Sequence, residues 1–308
     1  MQSFHFFSAK RLFLLWVMAL TIGCQPEKPK EARLANHTDG LGREVHFRSN
    51  PTRILGLSPA ITEMLFALVP DSHIVGVASR STYPADLIAG KPVVEVYPLN
   101  IESVLALKPQ VIFTEEGMTT AADAAQLEKL GIPVYHFRYR KVADILAAMD
   151  SLHAWLPQKA GAEKLLDSLR QGLFEYEIYS ANIPTKSKPK MLAITWFDPI
   201  FAYGFETWMT DKMRLAGGQN ALNQALDKPY PTLQRETVLK LNPDILFGGT
   251  FEKMDTSFFR LYPELKNINA YKTKKVFELN DDLVSRPSPR FLEGIGEVRK
   301  LAQMKESK

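Results

Sequence analysis

The sequence predicts an α/β protein of two lobes, each with a mostly parallel sheet, which are joined by a long rigid helix. Apolar strand patterns alternate with amphipathic helix patterns in both halves of the chain, which is typical of parallel sheets covered by helices. One phrase occurs twice, as IESVLALKPQVIF over 101–113 and as RETVLKLNPDILF over 235–247. Between the copies, residues 141–181 contain helix patterns without a strand pattern.

The composition is that of a globular protein long enough for two domains, with 308 residues, 45% of them hydrophobic and 23% charged. The formal net charge is +4, but the charges are mixed along the chain, which argues against a nucleic-acid partner. The single cysteine, Cys24, excludes an intrachain disulfide and a cysteine metal cluster. The six histidines are scattered, so we expect no metal site.

The amino-terminal residues 1–23 are predicted to be a signal peptide. Two basic residues precede the apolar run 12–22, which is too short to span a bilayer comfortably. The end of this run resembles a lipoprotein signal, in which Cys24 becomes the lipidated first residue after cleavage. The alternative is a plain secretory signal or an amino-terminal anchor with a spare buried cysteine. The polar, proline-containing stretch 24–37 is predicted to be a flexible tether.

An amino-terminal lobe is predicted over 38–140. Its strand patterns fall at 43–47, 53–58, 73–78, 110–114 and 132–137. Its helix patterns lie around 61–68, 101–107 and 119–130. Ser58 or Thr62 is expected to start the first of these helices, because a hydroxyl oxygen can accept hydrogen bonds from the free N–H groups there.

Residues 141–182 are predicted to be the interlobe helical segment, with one helix that ends before Pro157 and a second, longer helix. A carboxy-terminal lobe is predicted over 188–305. Its strand patterns lie at 190–197, in the second copy of the phrase and at 274–279. Its helix patterns lie around 207–216, 258–268 and 288–303.

The repeated phrase places a glutamate, Glu102 or Glu236, at the start of a helix in each lobe. An acidic side chain in the first helical turn interacts favourably with the free N–H groups and the helix dipole, by about 0.3–1 kcal/mol. This local role alone would explain both glutamates. An exposed pair, one from each lobe, could also be recognised by a two-fold symmetric partner.

Seven short motifs, in order, resemble those of substrate-binding proteins of ABC importers, of the class with a helical backbone between the lobes. They are RILGLSPAITEMLFAL, VGVASRSTYP, NIESVLALKP, LGIPV, AGGQNAL, YPTLQRETVLKLNPDIL and SRPSPR. This family binds cobalamin, heme or ferric siderophores, and the resemblance is greatest to its cobalamin-binding members. It implies Rossmann-like lobes with a ligand cleft between them. It also implies a monomer that is lipid-anchored to the membrane in the periplasm or cell envelope.

The resemblance further implies a permease dimer as partner. In the family, the two glutamates of the phrase form salt bridges with arginines of the two transporter subunits. That role falls on Glu102 and Glu236, and it is compatible with helix capping. The chain is not expected to be an enzyme, because we find no GxSxG, HExxH, P-loop or GxGxxG motif. A structural lipoprotein is the remaining rival.

Residues just beyond the strand ends are candidates for the cleft, because ligands of α/β sheets bind at the carboxyl ends of the strands. The predicted ligand-binding residues are Arg80, Tyr97, Trp196, Phe201, Tyr230, Asp282 and Arg286. Trp196 and Phe201 could instead belong to the core, and Asp282 and Arg286 could pair locally at a spacing of four. Tyr203 and Trp208 could line the cleft or cap the second lobe.

Cobalamin is the predicted ligand, and heme or a ferric siderophore is the alternative. Tyr230 matches an aromatic residue that stacks on cobalamin in the family. Arg80 stands where the cobalamin binder has an aromatic residue, and Tyr97 is displaced by one place from that protein's next aromatic. An arginine at position 80 could hold a carboxylate of heme or of a siderophore. No resident cofactor is expected.

Overall fold

The computed structural model describes residues 34–222, 228–248 and 257–304. The predicted signal peptide, Cys24 and the first part of the predicted tether lie outside these ranges. The residues in these three ranges belong to one compact unit. No helix within the described ranges is long and apolar enough to cross a membrane.

The strands come in three groups. An amino-terminal hairpin precedes the lobes, and each lobe has one sheet. The strands are β1 Leu34–Thr38, β2 Glu44–Arg48, β3 Ile54–Gly56, β4 Ile74–Ala78, β5 Val93–Val94, β6 Val111–Glu115, β7 Val134–Phe137, β8 Lys190–Phe197, β9 Ile200–Ala202, β10 Gln219–Asn220, β11 Thr232–Leu233, β12 Ile245–Gly248 and β13 Val276–Glu278.

Helices separate most of these strands, as the alternating pattern predicts. They are α1 Pro59–Leu68, α2 Ala85–Ile88, α3 Ile101–Ala106, α4 Ala121–Lys129, α5 Val142–Trp155, α6 Ala162–Ala181, α7 Trp208–Leu215, α8 Arg235–Leu241, α9 Phe259–Leu261, α10 Asn269–Lys272, α11 Asp281–Val284 and α12 Phe291–Ala302. Three short 3-10 helices lie at Asp71–His73, Thr185–Ser187 and Pro263–Asn267.

The amino-terminal sheet is entirely parallel, in the order β5-β4-β3-β6-β7. Its central strands are buried on both faces, which explains their continuous apolar sequences. The helix α1 begins at Ser58, whose hydroxyl oxygen accepts a hydrogen bond from the Ile61 N–H at 3.1 Å. Of the two predicted helix starts, Ser58 is therefore the one used.

The carboxy-terminal sheet is mixed, in the order β11-β9-β8-β12-β13, with β10 beside the start of β8. The strands β8, β12 and β13 are parallel, whereas β9 and β11 are antiparallel to their neighbours. The antiparallel pair arises because only two residues, Asp198 and Pro199, separate β8 from β9, and so short a connection forms a hairpin. Phe201 therefore lies in a strand and not in the loop that we expected.

Both copies of the repeated phrase form a helix followed by a strand, as predicted. They are α3 with β6 and α8 with β12. Each copy leaves the helix through a left-handed residue directly before its proline, at Lys108 with φ 45° and Asn242 with φ 44°. A proline disfavours the helical conformation of the residue before it. Both helices therefore end for the same reason.

The interlobe segment consists of two helices, as predicted. The helix α5 packs on α1 of the first lobe and on α7 of the second, while α6 packs on α5, α7 and α12. With 20 residues, α6 is about 30 Å long. One hydrophobic core includes side chains of both sheets and of these helices, so the lobes share a core through the helical layer.

Two predicted boundaries need correction. The tether predicted over 24–37 is too long, because residues 34–38 form β1, which pairs with β2. Arg43 attaches this hairpin to the first lobe through an ion pair with Glu128 at 2.9 Å. The helix predicted around 258–268 is interrupted, because Pro263 has no N–H for a helical bond and starts a 3-10 turn instead.

Candidate functional site

A cavity of about 360 Å³ lies between the lobes. Its amino-terminal wall includes Glu115 and Glu116 at the end of β6, together with Tyr139 and Arg140 beyond β7. The opposite wall and floor come from the second lobe. They include Tyr203, Trp208, Tyr230, Ser285 and Pro287. The cavity thus lies beyond the carboxyl ends of the parallel strands, where α/β proteins bind ligands.

Glu115 is the buried carboxyl of this cavity, with 8% of its surface exposed. Burial raises its pKa from the ordinary value of 4.5 to about 7, and a hydrogen bond with Ser58 and the positive charge of Arg286 oppose this shift only partly. The adjacent Glu116 is different, because it forms ion pairs with Arg138 at 3.1 Å and with Arg140 at 2.8 Å.

The opposite wall carries three aromatic residues in mutual contact. The ring of Tyr203 meets Trp208 at 5.9 Å and Tyr230 at 5.6 Å between centroids, both edge to face. Tyr203 and Trp208 are buried, whereas 45% of Tyr230 is exposed. Burial raises the pKa of the Tyr230 hydroxyl, so it is neutral and can donate a hydrogen bond at physiological pH.

Lys212 lies behind this aromatic wall. It is fully buried, its Nζ is 4.7 Å from the centroid of the Trp208 ring, and it donates a hydrogen bond to the Val284 carbonyl at 2.6 Å. Burial lowers the pKa of Lys212 to about 7. Lys212 therefore connects the ring of Trp208 to the segment that carries Ser285 and Pro287.

A buried ion cluster joins the two lobes beside the cavity. Glu63, on α1, has a side chain only 1% exposed, and it pairs with Arg286 at 3.2 Å and with Arg290 at 3.0 Å. Arg286 also donates hydrogen bonds to the hydroxyl of Thr82 at 2.9 Å and to the carbonyl of Arg80 at 3.0 Å. The segment after α11 is thereby attached to the first lobe through charged side chains.

Two further contacts strengthen this junction. The Thr82 hydroxyl donates a hydrogen bond to Asp282 at 2.7 Å, and Asp282 also forms an ion pair with Arg286. The guanidinium of Arg290 lies 4.3 Å from the centre of the Tyr83 ring. The two lobes therefore meet through hydrogen bonds, ion pairs and a cation–π contact.

Two of the predicted ligand-binding residues lie at cavities. Tyr230 lines the cavity between the lobes, and Asp282 lines a more open depression of about 490 Å³ formed by residues 278–282. Arg286 is adjacent to two lining residues, Ser285 and Pro287, but its guanidinium is occupied by Glu63 and Asp282. The local pairing of Asp282 with Arg286, one of our two alternatives, is present.

The other four predicted residues do not line the cavity between the lobes. Arg80 is exposed, and Tyr97 is 89% exposed. Trp196 is 50% exposed, and its ring N–H donates a hydrogen bond to the Asp198 carbonyl at 2.8 Å. Phe201 pairs with Thr232 in the sheet. Their ligand-binding roles stay predictions.

The two glutamates of the repeated phrase are exposed in the first turn of their helices. Asn100 caps α3 by accepting a hydrogen bond from the Ser103 N–H at 2.8 Å, so Glu102 is not the capping residue. Glu236 pairs with the neighbouring Arg235 at 3.2 Å, which also pairs with Glu264 at 3.2 Å. A backbone hydrogen bond, and after it the side chain of Arg235, lowers the pKa of Glu236, so Glu236 is ionised.

Three residues at or beside the cavity, Glu63, Glu115 and Tyr139, are not among those predicted from the sequence. Glu63 lies in a helix among apolar residues, where a polar position usually faces solvent. Glu115 is the last residue of a buried strand, and its position at the strand end is the only sequence signal for it. Tyr139 is buried, and burial together with Glu115 raises its pKa. Among the described residues, no group of three or more His, Cys, Asp or Glu could hold a metal ion.

A cavity between two α/β lobes that are bridged by helices defines a two-lobed ligand-binding protein. The chain belongs to the periplasmic binding protein family, whose sequence pattern it matches over residues 54–283. It is 25% identical to an uncharacterized ABC transporter substrate-binding lipoprotein, YvrC of Bacillus subtilis, over 92% of this chain and 93% of that protein. It is 27% identical to the vitamin B12-binding protein of Yersinia pestis, over 78% and 82% respectively.

Solved structures of the family share the fold. The periplasmic vitamin B12-binding protein BtuF of Vibrio cholerae superposes with a TM-score of 0.69 at 24% identity, covering 83% of this chain and 99% of that one. A periplasmic heme-binding protein of Pseudomonas aeruginosa also gives a TM-score of 0.69, at 20% identity, covering 84% and 95%. The fold predicted from the sequence is thus confirmed.

Proposed function

We propose that this protein captures a large cofactor-like ligand, cobalamin, outside the cytoplasm and delivers it to an ABC importer. The observation that carries the proposal is the cavity between the lobes, lined by Tyr139 on one side and by Tyr203, Trp208 and Tyr230 on the other. Aromatic rings with polar edges suit a broad, partly polar ligand. The sequence similarity to vitamin B12-binding proteins favours cobalamin.

Heme or a ferric siderophore is the second candidate. Heme-binding proteins with the same fold superpose as well as the vitamin B12-binding protein does. A ligand carboxylate could approach the exposed Arg80 or the half-buried Arg140, and Arg140 lines the cavity. This candidate therefore predicts that an anionic ligand binds at the rim of the first lobe.

Delivery needs contact with the importer. The exposed glutamates Glu102 and Glu236 occupy equivalent positions in the two lobes, at the starts of α3 and α8. A permease dimer has two-fold symmetry, and a pair of equivalent carboxylates suits such a partner. We propose that both glutamates contact the permease, as the family resemblance implies.

Lipidation of Cys24 would keep the protein at the membrane. Cys24 lies outside the described residues, so this proposal rests on the signal-like sequence before it and on the similarity to a substrate-binding lipoprotein. The protein would then work in the periplasm or cell envelope as a lipid-anchored binding protein and not as an enzyme.

A titration tests the proposed ligand. Protein lacking residues 1–23 is denatured and refolded to remove bound ligand, then titrated calorimetrically with cyanocobalamin, hemin and a ferric siderophore. We expect saturable binding of cyanocobalamin at micromolar concentration or below, which corresponds to about 8 kcal/mol. Binding of hemin or the siderophore without binding of cyanocobalamin would support the second candidate instead.

A further inference from the structure

The charge of the cavity is unevenly distributed between its walls. Glu115 and Glu116 are adjacent in sequence, and both line the cavity on the side of the first lobe. In the part of the chain that the structure describes, Glu116 has two arginine partners, whereas Glu115 forms no ion pair. Arg286 acts on Glu115 only through space, because its guanidinium is paired with Glu63 and Asp282.

Within the described ranges, no unpaired cation lines the cavity opposite Glu115. Among the described lining residues, Arg140 is the only one with a positive charge, and it is paired with Glu116. The opposite wall offers the rings of Tyr203, Trp208 and Tyr230. A ligand that enters between the walls therefore meets a buried carboxyl whose charge no protein cation neutralises directly.

Ser58 is the one hydrogen-bond partner of the Glu115 carboxyl among the described residues, and the remaining capacity of the carboxyl is open to the ligand. When it is ionised, it accepts hydrogen bonds from N–H groups and repels a ligand carboxylate. When it is protonated, it can donate to a carbonyl oxygen. A carboxamide offers both an N–H and a carbonyl oxygen, so it satisfies Glu115 in either protonation state. A carboxylate satisfies only the protonated form.

We propose that Glu115 determines the specificity of the cavity by selecting ligands that present carboxamide groups, and not carboxylates, to the wall of the first lobe. This proposal rests on the proposed function and names the chemical class of the ligand edge that enters the cavity. The buried position of Glu115 supports it, because a ligand carboxylate could bind beside Glu115 only if Glu115 took up a proton, which costs free energy at a pH above its pKa of about 7. The charged and titratable side chains around Glu115 are Glu116, Tyr139, Arg140, Tyr203, Tyr230 and Arg286.

Two matched ligand pairs test the proposal. The first pair is cyanocobalamin and the same corrinoid with its side-chain carboxamides hydrolysed to carboxylates. The second pair is hemin, which has two carboxylates, and its bis-carboxamide. Each ligand is titrated into the wild type, into Glu115→Gln and into Glu175→Gln. The last is a matched control, because Glu175 is exposed on α6 and accepts only a hydrogen bond from Gln171.

We expect the wild type and Glu175→Gln to bind the carboxamide member of a pair at least tenfold more tightly than the carboxylate member at pH 8. In Glu115→Gln the preference should disappear, because a glutamine donates an N–H to a carboxylate. The wild type supplies a second measurement that needs no variant. Its preference should shrink as the pH falls from 8 to 6, because Glu115 becomes protonated.

The outcomes separate this proposal from the proposed function. Binding of both corrinoids with equal affinity would overturn the role of Glu115 and leave cobalamin as the ligand. Binding of only the porphyrins, with the bis-carboxamide preferred, would overturn cobalamin and support the role of Glu115. A wild-type preference for either carboxylate member overturns the role of Glu115. If no ligand binds, the proposed function fails and this proposal fails with it.

Discussion

Arg290 donates two hydrogen bonds to the buried carboxylate of Glu63, from Nε to Oε2 at 3.0 Å and from Nη2 to Oε1 at 3.0 Å. The two residues belong to different lobes, and Arg286 pairs with the same carboxylate. In this geometry the guanidinium groups of Arg286 and Arg290 are largely buried. Each charge of the cluster therefore depends on the others for compensation.

Removal of the shared negative charge should destabilise the protein strongly. Glu63→Gln keeps the shape of the side chain but leaves two largely buried arginines without their common partner. We expect the free energy of unfolding to fall by about 3–5 kcal/mol in urea denaturation followed by tryptophan fluorescence. Glu297→Gln, which breaks an exposed pair with Lys300, is the control and should cost under about 1 kcal/mol. Equal effects of the two substitutions would show that the interlobe cluster contributes little.

The free energy of unfolding should depend on pH because of the protonation of Glu115. The pKa of Glu115 is about 7 in the folded protein and about 4.5 in the unfolded chain. Between pH 4.5 and 7 the folded protein therefore keeps a proton on Glu115 that the unfolded chain has lost. Stability should therefore fall as the pH rises from 4.5 through 7. Glu115→Gln removes this loss, and the variant should gain up to roughly 3 kcal/mol over the wild type at pH 8.

At pH 4 the same two proteins should be equally stable, because Glu115 is then protonated in both states. Urea denaturation of both at pH 4, 6 and 8 measures the difference. A difference that does not change with pH would contradict the assignment of the raised pKa to Glu115.

The aromatic wall should contribute to ligand affinity. Tyr230→Ala removes a ring that lines the cavity, and we expect binding of cobalamin to weaken by about 1–3 kcal/mol. Phe174→Ala is a matched control, because Phe174 is an exposed aromatic residue on α6 and does not line the cavity. If isothermal titration gives the same affinity for both variants, the ligand does not use the wall formed by Tyr203 and Tyr230.

The paired glutamates should act on transport and not on ligand binding. An ion pair that becomes desolvated at an interface costs about 2–5 kcal/mol when one member is lost. Glu102→Ala with Glu236→Ala should therefore reduce uptake while ligand affinity stays unchanged. A role in helix stability alone would lower the melting temperature slightly and leave uptake normal. Uptake, affinity and melting temperature of this double variant, with Glu175→Ala as control, distinguish the two.

The lipid anchor has a direct test. Cys24→Ser removes the thiol to which a lipid would be attached, and the protein should move from the membrane fraction to the soluble fraction. Fractionation followed by immunoblotting measures this change. Membrane association that persists in the variant would argue for an uncleaved amino-terminal segment as the anchor.

Local features of the fold could be predicted from the sequence because local chemistry determines them. Ser58 caps α1 with its own hydroxyl, and the prolines after Lys108 and Asn242 end their helices. Apolar runs such as that of β6 belong to buried parallel strands. Phe201 was misplaced because a two-residue hairpin was not recognised between two adjacent apolar runs.

The site was harder to predict because its contacts join distant parts of the chain. Nothing near Glu63 in sequence indicates that two arginines more than two hundred residues away neutralise it. The burial of Glu115 likewise depends on the other lobe. The strand ends predict the edge of the sheet at which the cavity between the lobes lies, but only the packing of one lobe on the other decides which side chains face that cavity.

The order of residues in the ion cluster has a consequence for folding. The partners of Glu63 are 223 and 227 positions further along the chain. Contacts of such high sequence separation form late in folding, because much of the intervening chain must be ordered before α1 and the segment 286–290 meet. During synthesis the first lobe emerges with an unneutralised carboxylate on α1, and only the final segment supplies its arginines. A chain that ends before residue 286 would leave the Glu63 carboxylate without either of its two arginines.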